Sequence, residues 1–572
     1  MTIVNLGKAL DFSRINQSRL SSPAKPYFDF YAMPYLDGLG ISALTSKHLS
    51  NKPIWIDHKH PDRYLTQRTL LQWTKRLAMG LDRIGSKRGE IVMLCTPNHI
   101  FLPVAYFGIL GSGRVFSGAN PANTVPEIVH QIKDSQARFI LAHPAYAKSA
   151  VTAAKAAGLP DGHVFLFTDE PCAPMEGCRD WRSFLPSPAE AEGYEFPALS
   201  ESEAISTPAT VNYSSGTTGM PKGVAISHHN LIAGLEQSIF MKYAKKPYTV
   251  ESRPTETWVG FLPLYHAYGQ QYNISMALKL GITCYIMPKF EFEEFLQLIE
   301  KYGVTTLYVA PPILVMLAKR PETAKYNLNS VTDILCGAAP LSKELQNEVS
   351  RKLECEVAQG YGMTEVTCGV LAVPGGTIDD SGSVGPLFPN AKCMLLDEEG
   401  NEVPDGQPGE LHFQGPNICL GYWRNPQATK ATFTEDGWLK SGDVAVARNG
   451  WFWIVDRKKE LIKVNGLQVA PAELEAALLE FDPIADAAAV GITLDDQEWP
   501  RAYIVLKDEY KGKTTIEDIQ RHMKARVAKH KQLVGGIVFV DEVPKLQSGK
   551  IMRKLMRQWA KTDAEKMSKA KL

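Results

Sequence analysis

Apolar runs of strand length alternate with helical patterns over most of the chain. The runs Ile91-Val-Met-Leu and Phe139-Ile-Leu-Ala have strand character, while residues 69–81 have the spacing of an amphipathic helix. The same alternation continues with a strand-like run at 305–309 and a helical pattern at 341–353. This order predicts an α/β fold with a mostly parallel sheet that is covered by helices.

Two later regions have different patterns. Short strand-like segments with glycine turns at 393–400 and 410–413 predict a small β-rich subdomain. From Asp456 onward the composition changes to that of a compact α+β unit. A chain of 572 residues is too long for one hydrophobic core. We therefore predict an N-terminal domain at 1–456 and a C-terminal domain at 457–572.

Composition narrows the class of protein. The chain has 62 basic and 62 acidic residues, which gives no indication of a nucleic-acid partner. Its nine cysteines form neither a CxxC pair nor a group at zinc-ligand spacing, so we expect free thiols. The most apolar stretch, 100–110, is short and contains Pro103 and Gly108, which favours a buried helix over a transmembrane segment.

The two ends of the chain give targeting expectations. The first residues lack a long apolar stretch after a basic start, so no secretory signal is expected. The last three residues, Ala570-Lys571-Leu572, are a close variant of the Ser-Lys-Leu peroxisomal signal. We therefore predict a peroxisomal location and a peroxisomal import receptor as partner, and otherwise a cytoplasmic location.

One polar loop has the composition of a phosphate-binding site. The string YSSGTTGMPKGV runs from Tyr213 to Val224, and strand-like residues precede and follow it. Glycines allow the main chain to approach an anion, while hydroxyl groups and a lysine supply donors and charge. It lacks the pattern of a Walker loop, which opens a helix. The candidate phosphate-binding residues are Ser214, Ser215, Gly216, Thr217, Thr218, Gly219 and Lys222.

This loop and six later strings closely resemble the signatures of the adenylate-forming superfamily, which includes acyl-CoA synthetases, coumarate-CoA ligases and firefly luciferase. The later strings are FLPLYHAYG, CGAAPL, QGYGMTE, WLKSGD, DRKKELIKVNGLQVAPAELE and PKLQSGK. The resemblance covers nearly the whole chain and is strongest to coumarate-CoA ligases and luciferases. It implies an ATP-dependent acid–CoA ligase with a large N-terminal domain of mixed sheets and a small, mobile C-terminal domain.

The resemblance also implies a nucleotide site and its residues. The hydroxyl-rich loop would hold pyrophosphate oxygens, Thr364 would contact the phosphates and Glu365 would help to place Mg²⁺. Tyr361 would stack on adenine, while Asp443 and Arg457 would contact the ribose. The remaining residues assigned to the nucleotide and cofactor site are Gly337, Ala338, Ala339, Gly360, Gly362 and Gly466.

Two half-reactions are implied, and each would use a different lysine. Lys550 would bridge the carboxylate and the α-phosphate while acyl-AMP forms. Rotation at the hinge residue Lys459 would then replace it with Lys463 and Gln468, which act during transfer to the thiol of coenzyme A. His266 matches the position of a gating histidine near the acyl carboxylate.

The acyl substrate is less well determined. Tyr268, Ala338, Val366 and Val370 are the candidate pocket residues, and they are mostly apolar. An aryl acid and a medium- or long-chain aliphatic acid fit this pattern equally well. The residues from Val366 to Cys368 differ from the usual plant coumarate-CoA ligase continuation, so hydroxycinnamate specificity is left open.

Two other functions stay open at this point. One is a luciferase-like oxidative adenylating enzyme, because luciferases retain the residues of CoA ligases. The other is an enzyme that transfers its adenylate to a carrier protein, although the chain has no phosphopantetheine-accepting domain after residue 550.

Overall fold

The structure is a computed structural model that describes residues 49–214, 220–245, 255–464, 467–494, 497–546 and 550–570. For residues 568–570 it describes the backbone alone. Two eight-stranded sheets, one four-stranded sheet and two small sheets occur in these ranges. This architecture confirms the predicted α/β class with a large N-terminal domain of mixed sheets.

The first large sheet has six parallel strands, with an antiparallel strand at each edge. In order across the sheet its strands are Leu371–Ala372, Glu356–Tyr361, Asp333–Cys336, Thr306–Val309, Thr257–Gly260, Thr283–Ile286, Pro53–Asp57 and Tyr64–Thr66. Because successive parallel strands need crossover connections, helices cover its faces.

The second large sheet combines parallel strands with an antiparallel edge. In order its strands are Gly421–Tyr422, Lys222–Ser227, Pro208–Ser214, Val115–Ala119, Ile91–Cys95, Phe139–Ala142, Val164–Leu166 and Arg179–Asp180. The first three strands pair antiparallel and the others parallel. Pro208–Ser214 and Lys222–Ser227 flank the candidate phosphate loop, which confirms the predicted strand-loop-strand setting.

Helices of the N-terminal domain pack between and around these sheets. They are Gln67–Arg83, Leu102–Gly111, Val125–Ser135, Ala147–Ala157, Pro188–Glu192, Glu201–Ser206, His228–Lys242, Ala267–Gly269, Ala277–Leu280, Phe292–Tyr302, Pro311–Lys319, Lys343–Leu353 and Pro426–Thr432, with a π-helix at Gln270–Met276. Single 3₁₀ turns lie at Pro144–Tyr146, Trp181–Phe184, Pro321–Lys325 and Thr364–Val366. All ten residues of Leu102–Gly111 are buried, which confirms the predicted buried helix.

One hydrophobic core joins the two large sheets. It contains Trp55 and Trp258 from the first sheet and Phe116 from the second, and all three side chains are fully buried. The indole Nε1 of Trp55 donates to the carbonyl of Asn273 at 2.8 Å, so a buried polar atom is also satisfied there. The shared core fixes the ends of strands from both sheets relative to each other.

The β-rich subdomain is an antiparallel sheet of Lys392–Leu396, Pro408–Gln414, Leu439–Arg448 and Trp451–Arg457. The C-terminal domain has a two-stranded ribbon, Ile462–Val464 with Leu467–Val469, and a sheet of Ile484–Leu494, Gln497–Leu506 and Ile537–Phe539. Its helices are Pro471–Leu479, Ile516–Lys524 and Arg553–Ala570, with 3₁₀ turns at Asp508–Tyr510 and Lys529–Lys531. The α+β character predicted for this domain is confirmed.

Within the described ranges, none of the helices combines the length and apolar character that crossing a membrane requires. All nine cysteines are free thiols, as expected from their spacing.

Candidate active site

A cavity of about 750 Å³ lies where the two large sheets, the β-rich subdomain and the C-terminal domain meet. Its walls include Ser214 from the second sheet, Tyr361 from the first, Asp443 from the subdomain and Lys550 from the C-terminal domain. Four predicted site residues that are far apart in sequence therefore line one cavity.

The phosphate side of the cavity is built on a β-hairpin. Ser214 and Lys222 are register partners at the end of the two antiparallel strands that the loop connects. The Lys222 ammonium lies 4.9 Å from the centroid of the Tyr422 ring, a cation–π distance. The predicted residues Ser215, Gly216, Thr217, Thr218 and Gly219 lie outside the described residues.

Glu365 is a buried carboxylate on this side of the cavity, in a 3₁₀ turn that begins at Thr364. The hydroxyl of Tyr422 donates to Glu365 Oε1 at 2.9 Å. The described residues contain no group of three His, Cys, Asp or Glu side chains arranged to hold a metal ion. A single carboxylate is nevertheless sufficient for Mg²⁺ that is bound together with nucleotide phosphates, so Glu365 fits that role.

Asp443, which is predicted to contact the ribose, is 7% exposed at the cavity wall. Its Oδ2 accepts a hydrogen bond of 2.6 Å from the hydroxyl of Tyr361, and its Oδ1 lies 3.3 Å from Arg457 Nε. Burial raises the pKa of Asp443, although the Arg457 charge and the Tyr361 hydrogen bond oppose this shift. The three side chains form one network that places an acceptor carboxylate at the cavity wall.

Small residues bring the main chain to the wall beside Tyr361. Gly337, Ala338, Gly360 and Gly362 all line the cavity. At Gly362 a Cβ atom would lie 1.6 Å from the carbonyl oxygen of Cys368, so only glycine fits there. Ala339 follows Ala338 in the chain but is not part of the cavity wall.

Lys550 reaches the cavity from the C-terminal domain and lies among charges of the N-terminal domain. Burial is the main reason for the lowered pKa of Lys550, and the Arg457 charge lowers it further. The carboxylates of Asp443 and Glu365 oppose the shift. Lys550 thus lines the same cavity as the residues predicted to contact the phosphates and the ribose.

His266 is the N-cap of the short helix Ala267–Gly269, and its Nδ1 accepts a hydrogen bond of 3.3 Å from the Tyr268 amide. Burial and the Lys550 charge lower the pKa of His266 to about 4. The imidazole is therefore neutral at physiological pH, and its Nε2 carries the proton.

The part of the cavity wall that contains the predicted acyl-pocket residue Tyr268 is aromatic and uncharged. The rings of Tyr268 and Tyr272 lie 5.1 Å apart, and Cys368 and Phe388 also line the cavity. The hydroxyl of Tyr268 donates to the carbonyl of Leu335 at 2.9 Å, so it is already satisfied by the protein. The predicted pocket residues Tyr268 and Ala338 lie at this wall.

Val366 and Val370 are the two predicted pocket residues that the structure does not bring to the cavity wall. Both are fully buried in a separate cluster that includes Leu411 and Phe413 of the β-rich subdomain. The reason is that the turn after Glu365 directs these side chains into the core beneath the four-stranded sheet.

Lys463 and Gln468 are exposed and lie outside the cavity wall. They are direct cross-strand partners on the two-stranded ribbon of the C-terminal domain. The Gln468 amide donates to Glu398 Oε1 at 3.4 Å, and Gly466 lies outside the described residues. In this arrangement the C-terminal domain therefore presents Lys550, and not Lys463, to the cavity.

Lys459 is exposed at the junction of the two domains. The residues on either side of it form ion pairs with different domains. On its N-terminal side, Lys458 Nζ lies 2.9 Å from Glu410 of the β-rich subdomain. On its C-terminal side, Glu460 Oε2 lies 2.7 Å from Arg553 of the C-terminal domain. The position predicted for the hinge is thus the residue at which the ion pairs change from one domain to the other.

Sequence comparisons show which family these features belong to. Residues 45–423 match the family of the AMP-binding enzyme, and residues 473–550 match the AMP-binding enzyme C-terminal domain. The chain belongs to the AMP-binding enzyme family. The predicted boundary at 456/457 falls between the two matched segments and stays a prediction.

Named relatives agree with this assignment. A putative acyl-coenzyme A synthetase of Emericella nidulans is 35% identical over 94% of this chain and 98% of its own length. A 4-coumarate–CoA ligase of Oryza sativa subsp. japonica is 36% identical over 85% of this chain and 87% of its own. These matches confirm the resemblance to adenylate-forming enzymes and support the prediction of an AMP-forming acid–CoA ligase.

A solved structure shares the fold. An anthranilate CoA ligase in complex with anthranoyl-AMP superposes with a TM-score of 0.82 at 23% identity, over 94% of this chain and 99% of that one. At this identity the likeness supports the fold alone.

Tyr422 is a site residue that sequence reasoning missed. It belongs to the short strand Gly421–Tyr422, which pairs with Val224 and Ala225 nearly two hundred positions earlier. Because the two paired segments are so far apart in the chain, no local sequence pattern indicates that Tyr422 lies beside the phosphate hairpin.

The predicted targeting residues Lys571 and Leu572 lie outside the described residues.

Proposed function

We propose that this protein is an ATP-dependent acid–CoA ligase that forms an acyl-AMP with release of pyrophosphate and then transfers the acyl group to the thiol of coenzyme A. One observation carries the proposal. Lys550, Asp443, Glu365 and His266 converge on one cavity, while the second candidate lysine lies on another face of the same C-terminal domain.

In the first half-reaction, a carboxylate oxygen of the acid attacks the α-phosphorus of ATP, and the bond to pyrophosphate breaks. Ser214 and Lys222 would hold the departing phosphates, and the Lys550 ammonium would stabilise charge shared by the carboxylate and the α-phosphate. Asp443 would hold the ribose. Mg²⁺, when held by Glu365 and the phosphates, would neutralise further phosphate charge.

In the second half-reaction, the thiol sulfur attacks the carbonyl carbon of acyl-AMP, the thiol proton leaves, and AMP departs with its bonding electrons. Rotation at Lys459 would withdraw Lys550 and bring Lys463 and Gln468 to the cavity. Such an exchange lets one site serve two reactions and limits exposure of the intermediate to water. The neutral His266 imidazole adds no positive charge beside the reacting carbonyl.

We propose an aryl acid or a medium- to long-chain aliphatic acid as the acyl substrate. The wall formed by Tyr268, Tyr272, Cys368 and Phe388 contains no charged side chain, so it suits an apolar acyl group. The rice relative is named for an aryl acid, which supports the aryl alternative.

Pyrophosphate release measured over a panel of aromatic and aliphatic acids, with and without coenzyme A, tests this function. We expect release with at least one apolar acid, and a thioester product when coenzyme A is present. A protein that releases pyrophosphate but makes no thioester would instead transfer its adenylate elsewhere, and emission of light with a luciferin would indicate the oxidative alternative.

A further inference from the structure

A buried arginine of the C-terminal domain connects the hinge with the segment that carries Lys550. Arg553 lies three residues after Lys550, at the start of helix Arg553–Ala570, and is 7% exposed. Its Nε lies 2.7 Å from Oε2 of Glu460, which is the residue directly after the hinge residue Lys459. The remaining guanidinium nitrogens face Glu475.

The contact with Glu475 is bidentate. Arg553 Nη1 lies 2.5 Å from Glu475 Oε1, and Nη2 lies 2.9 Å from Oε2. Nη1 also donates to the carbonyl of Ala489 at 3.1 Å. Glu475 belongs to helix Pro471–Leu479, which follows the ribbon of Lys463 and Gln468. One planar guanidinium therefore joins the hinge, this helix and the Lys550 segment.

Such a cluster is a poor source of stability, because removing one guanidinium and two carboxylates from water is costly. The planar Arg553 guanidinium, with its five donors, instead holds its partners in a specific geometry. The other end of the Lys550 segment is also held in place: Lys545 Nζ lies 2.7 Å from Asp486 Oδ2. In addition, the Leu546 amide donates to the Lys550 carbonyl at 2.8 Å.

We propose that Arg553 is a positioning residue for Lys550, which fixes the distance and direction from the hinge to the lysine so that rotation delivers the ammonium to the cavity. Arg553 acts through Lys550 and does not line the cavity itself. This inference rests on the proposed two-step function.

The full-length Arg553→Lys variant tests the inference, because lysine keeps the charge but cannot span Glu460 and both oxygens of Glu475. Arg501→Lys is the matched control. Arg501 is also 7% exposed in the C-terminal domain, where it lies 2.7 Å from Asp563 and donates to the Gly535 carbonyl at 2.6 Å. Both variants replace a buried guanidinium by an ammonium, but of the two arginines only Arg553 contacts Glu460, the residue after the hinge.

The two half-reactions are measured separately, with pyrophosphate release for the first and thioester formation from supplied acyl-AMP for the second. We expect Arg553→Lys to lower the first about 100-fold, because small displacements of a reacting group have effects of this size. The second half-reaction should fall much less, and Arg501→Lys should change both rates equally. Equal losses of both half-reactions in Arg553→Lys would overturn the inference.

A double variant separates positioning from folding. If Arg553 acts through Lys550, adding Arg553→Lys to Lys550→Ala should lower residual acyl-AMP formation by no more than about threefold, because the two changes remove one effect. A full multiplicative loss would contradict the inference. Should Arg553→Lys fail to fold, Glu460→Gln is used with the same expected outcome. Wild-type pyrophosphate release tests the proposed function, whereas the difference between the arginine variants tests this inference.

Discussion

The two candidate catalytic lysines of the C-terminal domain lie in opposite environments. Lys550 is half-buried among Arg457, Asp443 and Glu365, and burial is the main cause of its lowered pKa. Lys463 is exposed on a ribbon, where its amide donates to Glu498 at 2.8 Å. The two candidate lysines therefore lie on different faces of the C-terminal domain, and only the face that carries Lys550 meets the cavity.

The largest expected effect comes from removing each lysine in turn. Lys550→Ala should lower acyl-AMP formation about 100- to 1,000-fold, the usual cost of losing a group that stabilises transition-state charge. It should leave thioester formation from supplied acyl-AMP nearly unchanged. Lys463→Ala should have the opposite pattern. The measurements are pyrophosphate release and thioester formation in separate assays.

Each of these two variants is the control for the other, because both replace an ammonium of the same domain. If both half-reactions fell equally in both variants, the distinction between the two faces would be wrong.

Restricting the hinge should produce the next largest effect. Lys459→Pro fixes φ near −65° and should slow the rotation that the second half-reaction needs. We expect thioester formation to fall at least about tenfold while single-turnover acyl-AMP formation is largely retained, as for other conformational steps that limit turnover. Rapid-quench measurement of both products checks this.

Lys459→Ala is the matched control for the hinge. Lys459 lines the cavity, but its side chain is exposed, so its loss should slow either step far less than Lys459→Pro slows thioester formation. A similar fall in Lys459→Ala would show that the side chain, rather than the backbone rotation, matters.

A smaller effect, shared by both steps, is expected from the fixed side of the cavity. Tyr361→Phe removes the 2.6 Å hydrogen bond to Asp443 Oδ2. Because Arg457 still pairs with that buried carboxylate, the loss of the bond should cost about 1.4 kcal/mol, or about tenfold in rate. Nucleotide is bound in both half-reactions, so both should slow to a similar extent. A slower first step with an unchanged second step would indicate that Tyr361 supports the action of Lys550 and not the binding of the nucleotide.

The smallest effect concerns pH. The pKa of Lys550 is lowered from its usual 10.5, so the charged form is lost as pH rises through a value below 10.5. Acyl-AMP formation, which uses the ammonium, should decline on this alkaline limb, while thioester formation from supplied acyl-AMP should not share it. In Lys550→Arg the limb should disappear, because guanidinium keeps its charge. An unchanged limb in that variant would assign the titration to another group.

Local strings predicted much of the site because they determine local structure. Ser214 and Lys222 flank a turn between strands, and Gly362 occupies a position where a side chain does not fit. The phosphate-binding character of residues 213–224 can therefore be predicted from residue type and spacing. Lys550, Asp443 and Glu365 are predicted by the resemblance of their strings to those of the family, and the structure brings all three to the cavity.

Other features depend on long-range contacts and could not be predicted in the same way. Val366 and Val370 follow Glu365 closely, yet they pack beneath a sheet whose strands come later in the chain. Arg553 lies in a run of basic residues that is typical of a solvated surface, but its partners Glu460 and Glu475 are supplied by the hinge and a distant helix. Charged residues are seldom buried, so such pairing has no local signal.

The pairing of Lys463 with Gln468 across the ribbon has a consequence for the speed of the second reaction. The strand ladder sets the separation of their backbones before the domain moves. The backbones that carry the amine and the amide would then arrive at the intermediate at a fixed spacing, and only the conformational entropy of the two side chains would be left to lose on arrival.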